Sequence, residues 1–181
     1  GLVSLLTSCA FAAMARAAAT GRRGRWLFAA GVAATAATYS MASGMLAWPL
    51  LLLLGAWLRL PRGAWLTLFG TATAAIGVYL YGYHAPAHHT DSLAALQRPL
   101  GFAHYVVTYL GSTVRWFDAA PQLVLAPIAG ALGIALLGGT GWRVVRAEHS
   151  PAKAHRAAVV CIALFAFGSA ALTALGRLDF G

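Results

Sequence analysis

Residues 79–117 read YLYGYHAPAHHTDSLAALQRPLGFAHYVVTYLGSTVRWF, and this stretch decides how the rest of the chain is arranged. It contains four of the six histidines and is the one long run without the apolar character of a membrane span. On both sides of it lie hydrophobic runs that short basic connectors join. The pattern predicts that the stretch lies at one surface of a membrane, between two sets of spans.

The composition is that of a membrane protein. Hydrophobic residues make up 60% of the chain and charged residues only 9%, whereas a soluble domain carries about 25% charge. Several apolar runs approach the ~20 residues that cross a hydrocarbon core. The sequence predicts an all-α polytopic transmembrane helix bundle, a single membrane domain over 1–181, with about six spans at 1–15, 26–39, 45–58, 64–81, 121–139 and 157–175.

The net charge of +9 has a topological explanation. Basic residues lie in short connectors rather than on a basic surface with interleaved aromatics, so no nucleic-acid partner is expected. If the spans alternate in direction, one side holds Arg98, Arg115 and Arg177. The opposite side holds the other ten: Arg16, Arg22, Arg23, Arg25, Arg59, Arg62, Arg143, Arg146, Lys153 and Arg156.

The side with ten basic residues is predicted to be cytoplasmic, because cytoplasmic loops of membrane proteins are enriched in Lys and Arg. We therefore expect a multi-pass protein of the bacterial cytoplasmic (inner) membrane whose polar segment 82–120 faces outward. The sequence begins at Gly1, directly in an apolar run and without an initiating Met. We interpret it as a segment of a longer protein.

The second and third spans are short. Each has about 14 strongly apolar residues, or roughly 21 Å of helix, whereas the hydrocarbon core is about 30 Å thick. One interpretation is that residues 40–44 continue the helices. The other is that the hairpin tip stops below the outer surface, at the floor of an outward-facing cavity lined by Ser40, Ser43 and Gly44.

The polar loop after the fourth span contains His84, His88, His89 and Asp91. Imidazole and carboxylate groups suit zinc, but the spacing matches no zinc pattern, and Pro86 opposes a helix that would bring His84 and His88 onto one face. We therefore predict no metal site and no cofactor, and interpret the loop as solvated or as contacting a substrate.

A helix is predicted from Pro99 onward, since proline favours the first helical turn. Its mixed character and length of about 18 residues indicate an amphipathic helix in the outer interface rather than a seventh span. Arg115 either binds a phosphate or carboxylate or lies at the interface beside Trp116. Apolar residues recur at steps of three and four (Leu100, Ala103, Val107, Leu110, Val114 and Phe117), and His104, Thr108, Ser112 and Arg115 lie opposite.

Three patches carry a resemblance: YSMASGMLAWP at 39–49, YGYHAPAHH at 81–89 and TALGRLDFG at 173–181. They resemble a group of uncharacterised polytopic inner-membrane proteins of bacteria. The turn from Ser40 to Pro49, Ser-x-x-x-Gly-x-x-x-x-Pro, is also similar to the membrane core of the C-type glycosyltransferases, which transfer sugars from polyprenyl-phosphate donors at the outer face. The catalytic acid of that family lies in an early outward loop, and no residue here matches it.

Two functions remain open from the sequence. The first is part of a lipid-linked sugar transferase or related cell-envelope enzyme, whose partners would be membrane lipids and a polyprenyl-phosphate-linked sugar. The second is a non-enzymatic membrane transporter or assembly partner. No phosphate loop, nucleophile elbow or HExxH motif occurs, so no catalytic residue is assigned. The candidate substrate-binding residues are His84, His88, His89, His104, Arg115, Ser40 and Ser43.

Overall fold

The computed structural model describes residues 1–20, 23–82, 99–111, 122–146 and 151–177. Helices account for 94% of the described residues, and no strand occurs among them. The all-α prediction is therefore confirmed. In chain order the helices are α1 (Leu2–Ala19), α2 (Arg23–Ser40), a 3₁₀ helix (Ala42–Leu46), α3 (Ala47–Trp57), α4 (Arg62–Tyr81), α5 (Pro99–Gly111), α6 (Gln122–Arg146) and α7 (Pro151–Arg177).

Each of the six predicted spans coincides with one of these helices: α1, α2, α3, α4, α6 and α7. Such helices are compatible with an integral membrane protein. The two that fall short in length or hydropathy, α2 and α3, are the spans that the sequence also marks as short. Four stretches are long and apolar enough to cross a membrane: Leu2–Ala19, Arg62–Tyr81, Leu125–Val144 and Ala152–Leu175.

The second basic connector differs from its prediction. The sequence places Arg143, Arg146, Lys153 and Arg156 between two spans, whereas in the structure the first two lie in α6 and the last two in α7. Arg and Lys are good helix formers, so the helices continue past the end of the apolar run. Arg143 and Arg146 lie in the last turn of α6, where long side chains can reach a membrane surface, whereas Lys153 near the start of α7 is buried.

The described chain forms two compact units. Unit 1 comprises Gly1–Tyr83 and Thr140–Phe165, and unit 2 comprises His84–Gly139 and Ala166–Gly181. Both α6 and α7 contribute one end to each unit. The predicted single membrane domain over 1–181 stays a prediction.

Small residues allow the helices of unit 1 to pack closely. α1 packs on α2, both contact α3, and α4 packs on α2 and α3. Ala30, Ala34 and Ala37 form one buried face of α2 at helical spacing. Alanine lets helix backbones approach, and this increases van der Waals contact where water supplies no driving force. The largest side chains that fill the remaining space are Phe11, Met14, Trp48, Leu51 and Leu54, all fully buried.

The turn between α3 and α4 is a Schellman motif. The Arg59 N–H donates to the Ala56 carbonyl at 3.1 Å, and the Leu60 N–H donates to the Gly55 carbonyl at 3.0 Å. Arg59 has φ of +49°, the left-handed conformation that this motif requires. Pro61 follows with extended backbone and precedes α4, because proline cannot continue the preceding helix.

Unit 2 is held together by contacts between backbones. A methyl group on Gly111 of α5 would overlap the Ala126 carbonyl of α6, and one on Gly130 of α6 would overlap the Val107 carbonyl of α5. The two contacts pair Val107 with Gly130 and Gly111 with Ala126. Residue numbers rise along α5 while they fall along α6, so the two helices run antiparallel. Such glycine crossings suit Cα–H donation to carbonyl oxygens.

The structure shows which side chains of α5 are buried. Val106 is buried in a small cluster with Ala170 and Ala174 of α7, whereas the predicted face member Leu100 is 86% exposed. The prediction assumed one apolar stripe against lipid. The structure uses two faces, one against α6 and one against α7. α5 is not among the described helices that are long and apolar enough to cross a membrane, and its place in the outer interface stays a prediction.

Candidate functional site at the hairpin tip

The hairpin of α2, the 3₁₀ helix and α3 is fastened by a buried pair of hydrogen bonds. Trp48 Nε1–H donates to Thr38 Oγ1 at 3.0 Å, and the Thr38 hydroxyl donates to the Ala34 carbonyl at 2.9 Å. Thr38 and Trp48 are almost completely buried. A fully satisfied polar chain in an apolar interior fixes one geometry, because every alternative leaves a buried donor unpaired.

Glycine makes the turn of this hairpin possible. α2 stops at Ser40 because the next residue, Met41, has extended backbone. The Gly44 N–H donates to the Met41 carbonyl at 2.8 Å. A methyl group on Gly44 would overlap the Ala37 carbonyl of α2. Only a residue without Cβ lets the 3₁₀ helix approach α2 this closely. The contact sets where the tip residues lie.

The tip presents hydroxyl groups and a thioether to the surroundings. Tyr39, Ser40 and Met41 are exposed, and Ser43 is half-buried. The Ser40 hydroxyl donates to the Ala36 carbonyl at 2.7 Å. Because a hydroxyl oxygen also has two acceptor lone pairs, Ser40 can still accept a hydrogen bond from a ligand hydroxyl.

Two tyrosines extend the site onto α4. The rings of Tyr39 and Tyr79 pack with centroids 6.0 Å apart at an interplanar angle of 59°. The Tyr39 hydroxyl donates to the Ala75 carbonyl at 3.5 Å, a long hydrogen bond. Tyrosine pairs an apolar ring with a polar tip, which suits the boundary between lipid and water. The tip of the hairpin is therefore joined to the end of α4 by an aromatic contact.

The structure shows how residues 40–44 connect the two short spans, and both interpretations of those spans stay predictions. Ser40 is the last residue of α2, and residues 42–46 continue as a 3₁₀ helix into α3. The 18 residues of α2 measure about 27 Å. The 3₁₀ helix and α3 together measure about the same. Of the added length of α2, three residues come from Arg23–Arg25 and only Ser40 from the tip, because Met41 has extended backbone. Contact of Ser40 and Ser43 with a substrate stays a prediction.

His104 and Thr108 lie on α5, in unit 2. The imidazole-bearing His104 is exposed, as the predicted polar stripe requires. Thr108 differs from that prediction, because its Oγ1 is buried and has no hydrogen-bond partner. Ser169 Oγ on α7, also in unit 2, is likewise buried without a hydrogen-bond partner. Two unpaired hydroxyls in one small unit are unusual, since buried polar groups are normally bonded.

The remaining predicted site residues lie outside the described residues: His84, His88, His89 and Arg115. Their roles stay predictions. In the described ranges no group of three His, Cys, Asp or Glu side chains is placed to hold a metal ion. His104 is the one predicted imidazole that the structure places.

Comparison of the chain with protein-family models, with curated proteins and with solved structures gives no match. The site is therefore interpreted from its own geometry.

Sequence reasoning missed the Thr38–Trp48 pair and the Tyr39–Tyr79 pair. One signal for the first was available. Trp48 stands inside an apolar run, away from the connectors where interfacial tryptophans lie, and a buried indole N–H needs an acceptor. The acceptor itself, ten residues earlier on another helix, follows only from the hairpin geometry.

Proposed function

We propose that the chain forms the membrane part of a cell-envelope enzyme that handles a polyprenyl-phosphate-linked sugar. The observation that carries the proposal is the hairpin tip, where exposed Tyr39, followed by exposed Ser40, packs against Tyr79 near the end of the long apolar helix α4. A polyprenyl-linked sugar has the same division: an apolar chain that stays in the bilayer and a polar head at its surface. The likeness of residues 40–49 to the C-type glycosyltransferases supports the same substrate class.

Each group at the tip has a role in this proposal. The faces of Tyr39 and Tyr79 pack against the apolar side of a sugar ring, and the Ser40 oxygen accepts a hydrogen bond from a sugar hydroxyl. Ser43 lies half-buried in the 3₁₀ helix next to them. Lipid-facing side chains along α4, such as the exposed Leu80 and Val78, contact the prenyl chain. No side chain of the tip is assigned a part in bond cleavage.

Binding of the polyprenyl-phosphate lipid at the hairpin tip is tested by photolabelling. The full-length protein in liposomes is irradiated with a photoreactive polyprenyl phosphate, and labelled peptides are mapped. We expect saturable labelling near residues 39–48 that unlabelled polyprenyl phosphate competes away. The double variant Tyr39→Ala, Ser40→Ala should reduce it at least fivefold. Tyr81→Ala is the control, because Tyr81 ends α4, the helix of Tyr79, and is 96% exposed.

The outcomes separate the two functions that the sequence leaves open. Labelling together with consumption of a radiolabelled polyprenyl-phosphate sugar supports the enzyme. Saturable labelling without turnover by the full-length protein supports a non-enzymatic transporter or assembly partner. Labelling that is unsaturable, or equally reduced by Tyr81→Ala, contradicts the proposed site.

The proposed orientation places 82–120 outside a bacterial inner membrane. A single cysteine replacing Ser92 should react with an impermeant maleimide in sealed cells, and one replacing the exposed Ala152 should react only after permeabilisation. Cys9 is exposed and Cys161 is buried, so both are first replaced by Ala. The reverse labelling pattern would show the opposite orientation.

A further inference from the structure

Five arginines lie together at one end of the helix bundle in unit 1, and we name Arg16, Arg23, Arg25, Arg59 and Arg62 the arginine cluster. Arg16 lies in the last turn of α1, and Arg23 and Arg25 lie in the first turn of α2. Arg59 and Arg62 flank the turn from α3 to α4.

Contacts around Gly55 show that the two connections lie at the same end. A methyl group at Gly55, in the last turns of α3, would lie 3.2 Å from Met14 Cε on α1 and 3.7 Å from Trp65 Nε1 on α4. Met14 is two residues from Arg16, and Gly55 is four from Arg59. The end of α1 is thus adjacent to the α3–α4 turn.

The cluster is a concentrated positive charge. All five side chains are exposed, and no acidic residue occurs in the described ranges, because the four acidic residues are at 91, 118, 148 and 179. The Arg16 guanidinium lies over the Trp26 ring, 5.1 Å from its centroid. This cation–π contact holds the guanidinium against the ring, and its N–H donors can still bond an anion.

Arg59 provides a second, independent observation. Its φ of +49° is the one positive value recorded for a described residue other than glycine. The C′ position of a Schellman motif favours glycine, because a Cβ crowds the backbone in the left-handed conformation. A strained residue held by its surroundings is a reason to look for a use of its side chain. Here the side chain is an exposed guanidinium within the cluster.

The surface next to the cluster is apolar. Phe28 follows Arg25 by less than one turn on α2, and Leu66 and Phe69 follow Arg62 on α4; all three are exposed. Trp26, Trp57 and Trp65 are half-buried and lie within three residues of a cluster arginine in the sequence. Tryptophans commonly mark a membrane interface. A ligand that fits has an anionic head and an apolar tail.

We propose that the arginine cluster binds the phosphate of an anionic phospholipid in the leaflet that this end of unit 1 faces. Guanidinium groups bond phosphate oxygens in a bidentate manner, and basic residues at the membrane surface attract anionic lipids. The acyl chains lie along Phe28, Leu66 and Phe69. Free phosphate would use the arginines without this apolar surface.

The experiment is native mass spectrometry of the full-length protein, titrated with phosphatidylglycerol and with phosphatidylcholine of the same acyl chains. The informative variant is Arg59→Gly, which removes the guanidinium and supplies the residue that the backbone favours. We expect selective binding of phosphatidylglycerol by the wild type and about fivefold weaker binding by Arg59→Gly, the effect of one arginine near an anionic surface. The thermal midpoint of Arg59→Gly should not fall.

Arg143→Gln is the control for charge, because Arg143 is an exposed residue of α6 that is predicted to lie on the same side of the membrane but is not one of the five cluster residues. It should change phosphatidylglycerol binding less than twofold. Equal binding of the two lipids, unchanged binding by Arg59→Gly, or an equal loss in Arg143→Gln would each overturn the proposal. Displacement of the lipid by an equimolar amount of inorganic phosphate would identify a free-phosphate site instead.

Discussion

Unit 1 and unit 2 use different means to hold their helices. Unit 1 has large buried side chains and a polar lock between Trp48 and Thr38. Unit 2 has the reciprocal contacts of Gly111 and Gly130 with facing carbonyls, and its buried cluster consists of Val106, Ala170 and Ala174. Unit 1 thus combines side-chain contacts with the Gly44 contact to the Ala37 carbonyl, whereas the contacts described in unit 2 centre on Gly111 and Gly130.

The difference indicates where each unit tolerates change. A side-chain lock specifies one partner for one donor, and it fails when either partner is removed. A backbone crossing depends on the absence of side-chain atoms, and it fails when atoms are added. Substitutions that remove side-chain atoms should therefore weaken the Trp48–Thr38 contact of unit 1. Substitutions that add atoms should weaken the Gly111 and Gly130 contacts of unit 2.

The largest effect is expected for Trp48→Ala in unit 1. Removal of a fully buried indole leaves a cavity, and such changes cost about 3–5 kcal/mol of unfolding free energy. Trp48→Phe keeps most of the volume and should cost less, about 0.5–1.5 kcal/mol for the lost hydrogen bond. Thr38 still donates to Ala34 in that variant. Unfolding in mixed detergent micelles measures both; equal losses would show that the hydrogen bond, not the volume, matters.

Gly111→Ala and Gly130→Ala should have the next largest effect, in unit 2. Each methyl group overlaps a facing carbonyl oxygen, and overpacking of this kind costs about 1–3 kcal/mol. Gly133→Ala is the matched control on α6, because a methyl group there meets no atom within 4 Å. It should leave the same unfolding curve unchanged or shift it slightly upward. A loss in the control as large as in Gly130→Ala would contradict the crossing.

The smallest effect is expected for Ser169→Ala, and it has the opposite sign. The Ser169 hydroxyl is buried without a partner, so its removal should stabilise the protein by about 0.5–1 kcal/mol. Thr173→Val on the same helix is the control, since the Thr173 hydroxyl donates to the Ser169 carbonyl at 2.8 Å. A loss of stability in Ser169→Ala would show that the hydroxyl has a ligand or water partner.

The sequence predicted the helices well because hydropathy is a property of single segments. The runs at 64–81 and 157–175 needed no neighbour to be identified, and they correspond to α4 and α7. The helix from Pro99 was also placed, but its contacts through Val106 and Gly111 were not foreseen. The face of α5 depends on α6 and α7, and Gly111, which has no hydrophobic side chain to attract notice, turned out to be a contact point.

The candidate site was predicted only in part. Ser40 and Ser43 were named for their position in a short hairpin, and the structure places Ser40 exposed at the tip. The neighbouring Tyr39 was not named, because its importance comes from Tyr79, which lies on another helix. Pairings between helices leave little trace in the local pattern of either partner.

The sequence by itself determined the class of the protein: a helical chain with long apolar stretches and an excess of positive charge between them. Segment length and composition suffice for this, because each helix satisfies its own backbone hydrogen bonds. Only the tertiary structure decided that Trp48 bonds Thr38 and that Gly44 and Gly111 contact carbonyls of other helices. Those features depend on distances between helices, which helical periodicity does not encode.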